Sequence, residues 1–122
     1  MAGFDAGVLA TIAQADEVDV ESHRRDGSTR RTIIWAVTDG DHAYVRSIKG
    51  AAGVWYRELR EDADAALHVD GQRIPVRPTP VHDAAEIERV TAAFRAKYGH
   101  TPWIDGVVKP ERLPGTLRLE AR

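Results

Sequence analysis

The chain has 122 residues, 43% hydrophobic and 30% charged, with a net charge of -2. Size and balance fit one soluble globular domain over residues 1–122, able to bury a core without staples. The lack of cysteine excludes disulfides, Cys-ligated zinc, iron–sulfur clusters and a thiol nucleophile, mild acidity argues against sequence-blind nucleic-acid binding, and no apolar run approaches the roughly 20 residues that span a bilayer.

The first residues, up to Val18, lack a basic segment and turn acidic, so no secretory signal is expected and the expected location is cytoplasmic. Asp5 can cap a short helix whose Val8, Leu9 and Ile12 share a face, with Phe4 stapling onto Leu9. Glu17 to Ser22 alternates strictly and predicts a half-buried strand. Asp26-Gly27 and Asp39-Gly40 are hairpin turns around a second strand, Thr29 to Thr38, rich in β-branched residues. His42 to Lys49 is a third strand, so residues 17–49 are expected as a three-stranded meander. Gly50-Ala51-Ala52-Gly53 interrupts the pattern, and Val54, Trp55 and Leu59 resume it at helical spacing. Ala66 to Val69 and Gln72 to Val76 flank the Asp70-Gly71 turn, with Pro75, Pro78 and Pro80 marking a sheet edge or bulge. Asp83 to Glu86 opens a helix whose Ile87, Val90, Phe94 and Tyr98 form one face and which Gly99 ends. A long proline-containing connection with an exposed-looking Trp103 leads to a sixth strand, Thr116 to Glu120. Six antiparallel strands with small helices predict a mainly β fold, a small barrel that removes its own edges.

Charge is unevenly spread. Residues 1–22 carry -5, residues 23–60 carry +4 and residues 61–122 carry -1. A basic region from Arg24 to Arg60 on an acidic chain suits a small anionic ligand; a solvated strand face with scattered arginines is the plain alternative. No two of His23, His42, His68, His82 and His100 are three or four apart, so no metal site is expected. No GxSxG or Walker motif occurs, and no catalytic residue is assigned.

The segment Arg46 to Leu59 is the informative one. Ser47 and Lys49 are two apart on the third strand and so project to the same face. Glycines at a strand-to-helix junction let backbone amides approach a ligand, and the helix start adds positive potential. A hydroxyl, an ammonium and free amides of Gly50, Ala51 and Gly53 would then converge, which suits an oxyanion or phosphate. The alternative is a sharp bend that needs glycine. Trp55 and Trp35 each read either as core or as walls for a flat ligand.

These residues resemble the split β-barrel superfamily, which includes pyridoxamine 5′-phosphate oxidase-like FMN proteins and deazaflavin-dependent nitroreductases, and within it a small bacterial family of uncharacterised proteins. Ser47-Ile48-Lys49 is similar to the Ser-x-Lys that meets the flavin phosphate. Lys49-Gly50 followed by Trp55-Tyr56-Arg57-Glu58-Leu59 is similar to the glycine-then-Trp…Asn-Leu segment of the deazaflavin branch, with Glu58 in place of Asn. The closing order of helix 83–98, proline-containing connection and strand 116–119 agrees. The resemblance implies a six-stranded antiparallel FMN-binding split barrel that binds deazaflavin coenzyme F420 or FMN. It further implies a homodimer with the cofactor between subunits, working as an oxidoreductase on a small-molecule electron acceptor. Arg46, Ser47, Lys49, Gly50, Ala51 and Gly53 would hold the phosphate, with Arg30 and Arg31 as further candidates. Trp35, Tyr44 and Trp55 would shape the pocket. A non-catalytic ligand-binding or carrier protein on the same barrel is the alternative.

Overall fold

The computed structural model describes residues 3–122. Helix α1 (Ala6–Gln14) begins where expected: Asp5 Oδ1 accepts the Val8 amide at 2.9 Å, and Phe4 and Leu9 enter the same core cluster. The strands are β1 (Val18–His23), β2 (Thr29–Ile34), β3 (Ala36–Asp39), β4 (His42–Arg46), β5 (Ala66–Val69), β6 (Gln72–Pro80) and β7 (Thr116–Ala121). They form one curled antiparallel sheet in the order β2-β1-β5-β6-β7-β4-β3.

Seven strands stand where six were expected, and the difference lies at Trp35. The stretch from Thr29 to Thr38 breaks there. Its first half pairs with β1, placing Ile34 opposite Val18; its second half pairs with β4, placing Ala36 opposite Val45. The expected three-stranded meander is thus divided, and β2 and β3 occupy opposite ends of the order although one residue joins them. The break has a tertiary cause. The Ala36 carbonyl accepts from Lys97 Nζ at 2.7 Å and Tyr98 Oη at 3.3 Å, both at the end of α3 (Ala84–Tyr98).

β6 lies between β5 and β7 in the sheet order, but its far end, with Pro78 and Pro80, pairs on one side only, in keeping with the edge-or-bulge expectation. Residues up to Pro75 pair with β5, and residues from Val76 pair with β7. Each half has a ladder on one side only, which is how three prolines are tolerated in a strand lying between two others. Asp70 and Gly71 both take positive φ, 51° and 75°, in the turn before it.

Alternation along β4 separates two cores. Ala43 and Val45 face the inside of the curl with Val18, Val20, Leu67, Val76, Leu117 and Leu119. Tyr44 faces outward, where α3 covers it with Val90, Phe94 and Tyr98. Asp83 Oδ2 accepts the Glu86 amide at 2.9 Å and starts α3. The Glu86 carboxylate does not return to the cap; it accepts from Tyr44 Oη at 2.6 Å and Arg118 Nη1 at 2.8 Å. The connection 100–115 contains a short helix α4 (Asp105–Val108) and a 3-10 turn over Pro110–Gly115. Among the described residues no helix is long and apolar enough to cross a membrane.

Candidate functional site

A cleft of about 590 Å³ opens where the broken strand, the end of β4, the start of α2 (Val54–Leu59) and the α4 segment meet. All three tryptophans of the chain, Trp35, Trp55 and Trp103, line it. So do Ile33, Ile48 and Val54, which with Trp103 are the large apolar side chains the molecule exposes among the described residues. Trp103 is 72% exposed, Ile33 67% and Ile48 59%. Apolar surface left open around one concavity points to an occupant or a partner.

The polar end is built by Arg46, Ser47 and Lys49. β4 stops at Arg46, so strand alternation does not align Ser47 with Lys49. A side-chain turn does: the Lys49 amide donates to Ser47 Oγ at 3.1 Å. Ser47 is buried, and its hydroxyl rests on Gly53, where an added Cβ would strike Oγ. Lys49 is exposed and makes no ion pair among the described residues.

Arg46 is 3% exposed and heads toward α3, on the same side of β4 as Tyr44. Its Nε donates to Thr116 Oγ1 at 2.8 Å, and its Nη1 to Val107 O at 2.8 Å and Thr91 Oγ1 at 3.0 Å. The guanidinium lies 5.3 Å from the Phe94 ring centroid. Every acceptor is neutral, so the charge is solvated by the protein but not cancelled. Burial lowers its pKa to about 10.

The other expected residues divide. Trp35 and Trp55 line the cleft and also pack on the cores. Arg30 reaches the cleft, but its Nε and Nη2 grip the Glu58 carboxylate at 2.6 and 3.2 Å. Glu58 thus neutralises Arg30 from α2. Arg31 pairs with Asp19 at 2.8 Å and does not line the cleft. Tyr44 lies in the α3 core, outside it.

Gly50 and Ala51 do not line it either. Gly50 adopts φ 60°, and a Cβ there would lie 2.7 Å from the Glu111 carbonyl oxygen. Its freedom serves close packing against the 110–115 turn. The amides of Gly50, Ala52 and Gly53 are spent on Ser47 O, Lys49 O and Gly50 O. What remains toward a ligand is Lys49, with the Ser47 hydroxyl and the Arg46 charge behind it. Sequence reasoning missed Ile33, Ile48, Val54 and Trp103 as cleft residues; a solvent-facing Trp in a proline-rich connection was the available signal.

Residues 8–119 match the family described as "Uncharacterized protein conserved in bacteria (DUF2255)". No curated protein matches the chain. Three similar solved structures share its fold. An F420-H2 dependent reductase, FDR-A, is 14% identical, with 86% of this chain and 93% of that one covered and a TM-score of 0.65. A Listeria innocua protein described as of the pyridoxamine 5'-phosphate oxidase type is 15% identical, with 95% and 90% covered and a TM-score of 0.66. The heme storage protein HutZ from Vibrio cholerae is 11% identical, with 97% and 88% covered and a TM-score of 0.65. The architecture is therefore that of the split barrels.

Proposed function

We propose that this chain, which belongs to the bacterial DUF2255 family, binds FMN or deazaflavin coenzyme F420 in the tryptophan-lined cleft and acts as an oxidoreductase. One observation carries the reading: three tryptophans and three exposed aliphatic residues border a cleft whose polar end offers an unpaired ammonium. A flat apolar ring system with an anionic tail matches that donor set. When bound, the cofactor supplies hydride transfer. Lys49 would bind the tail as a free charge, and the Ser47 hydroxyl would orient it. Arg46 would add positive potential from the floor of the cleft. Trp35 and Trp55 would flank the ring, and Ile33, Ile48, Val54 and Trp103 would exclude water.

The open rim supports a homodimer with the cofactor between the subunits. Ile33, Ile48 and Trp103 are too exposed to sit on a finished surface, and β2 at the end of the sheet order has one ladder partner. The test is titration of purified protein with FMN and with F420, followed by tryptophan quenching. Saturation in the micromolar range is expected; no binding of either at about 100 μM counts against the reading. Binding without reduction of any acceptor would support a carrier or storage role instead, a use to which the fold is put in HutZ.

A further inference from the structure

A second concavity, of about 640 Å³, lies on the far side of α2 and shares Val54 with the first. Four arginines line it: Arg24 and Arg25 from the β1–β2 turn, Arg57 from α2 and Arg60 just after it. Three carboxylates also line it, and they offset the four arginines only in part. Glu58 is held by Arg30, and Asp62 Oδ2 sits 2.7 Å from His23 Nδ1. Glu61, 77% exposed, forms a long, solvated ion pair with Arg60 Nε at 3.9 Å. Arg25 and Arg57 are exposed and have no carboxylate within ion-pair distance among the described residues.

Of the other two, Arg24 is positioned by neutral groups, and Arg60 rests on a ring besides its long pair with Glu61. Arg24 Nη1 donates to Thr29 O at 2.8 Å and Ser28 Oγ at 3.2 Å. The Arg60 guanidinium lies 5.7 Å from the Tyr56 ring centroid. Uncancelled guanidinium groups in a concave wall focus potential, and each presents a fork that fits an oxyanion. A chain of net charge -2 has no general reason to gather them. This site also accounts for the positive balance between Arg24 and Arg60, of which the first cleft uses only part.

We infer that this concavity is a binding site for a small, multiply charged oxyanion of phosphate or carboxylate type. It is separate from the flavin reading and does not depend on it. The test is calorimetric titration of the full chain at low ionic strength with inorganic tripolyphosphate and, in a second arm, citrate. Saturable one-to-one binding with Kd below about 1 mM is expected for at least one of them, and the arm that binds names the class. An Arg25→Ser/Arg57→Ser variant should weaken binding at least tenfold with an unchanged melting temperature. Arg77→Ser/Arg95→Ser, which removes the same charge from exposed positions outside the concavity, should leave it unchanged. No binding of either anion, or equal weakening by both variants, overturns the inference. Neither readout involves flavin, so failure of the first cleft to bind a cofactor leaves this result intact.

Discussion

Trp35 lies flat on Tyr98, with ring centroids 4.1 Å apart and planes 1° from parallel. The residue that breaks the strand, and forms one wall of the cleft, is held by the last residue of α3. Tyr98 Oη also donates to Asp16 O at 2.8 Å. Tyr98→Phe keeps the stack and removes the hydroxyl, so a loss of about 1 kcal/mol is expected. Tyr98→Ala removes both, and about 3–5 kcal/mol is expected. Urea unfolding measures each. Equal losses for the two variants would show that the stack contributes nothing.

Lys49 is expected to matter for binding and not for folding. It is exposed and unpaired, so Lys49→Ala should leave the melting temperature unchanged. Cofactor affinity should fall by about 1.5–3 kcal/mol, the usual range for a charged hydrogen bond. Fluorescence titration of both proteins compares them, and unaltered affinity would remove Lys49 from the site.

Glu21 confers an acid limit on stability. Arg73 donates to its carboxylate at 3.0 and 3.2 Å, and His68 Nε2 lies 2.7 Å from it. The Arg73 bond, aided by His68 and opposed by burial, holds its pKa at about 2 against an ordinary 4.5. In that window the unfolded chain binds the proton first. The contribution is complete above pH 4.5 and is lost as pH falls toward 2. Glu21→Gln should flatten this part of the curve of unfolding midpoint against pH.

Lys97 acts at the alkaline side, where stability again rises with pH. Its Nζ donates to Ile12 O at 3.1 Å and Ala36 O at 2.7 Å, and burial lowers its pKa to about 8 from 10.5. The folded state gives up the proton first, so stability rises with pH from about 8. Above the ordinary tyrosine value of 10 the trend reverses, because burial raises both Tyr44 and Tyr98, the latter to about 12. Lys97→Met should abolish the rise between pH 8 and 10 and leave the later fall.

Gly50→Ala should destabilise the fold without needing any ligand. A left-handed backbone costs a side chain about 1–2 kcal/mol, and the Glu111 carbonyl leaves no space for a methyl group. Chemical denaturation reads the loss directly. An alanine variant as stable as the parent would show that the 110–115 turn yields freely.

What the sequence revealed was mostly local. The Asp5 and Asp83 caps, the Asp-Gly turns and the α3 face of Val90, Phe94 and Tyr98 depend on neighbours within a few residues, and they stand as read. The break at Trp35 was hidden because Thr29 to Thr38 is uniformly suited to a strand. Its cause, Lys97 and Tyr98, lies about 60 residues away. The side of β4 taken by Arg46 was readable from its two-residue spacing to Tyr44. Its acceptors, Thr91, Val107 and Thr116, come from three later elements and were not. Trp103 gave an exposure signal, but no local pattern carries it to the cleft.

The two half-sheets are seamed together twice, by the backbone of β6 and by the single residue between β2 and β3. The first seam is a spine with hydrogen-bonded strands on either side; the second is a tether with no ladder across it. A molecule lodged against Trp35 therefore works as a clasp on the looser seam. Its arrival should slow amide exchange in β2 and β3 far more than in β5 and β7.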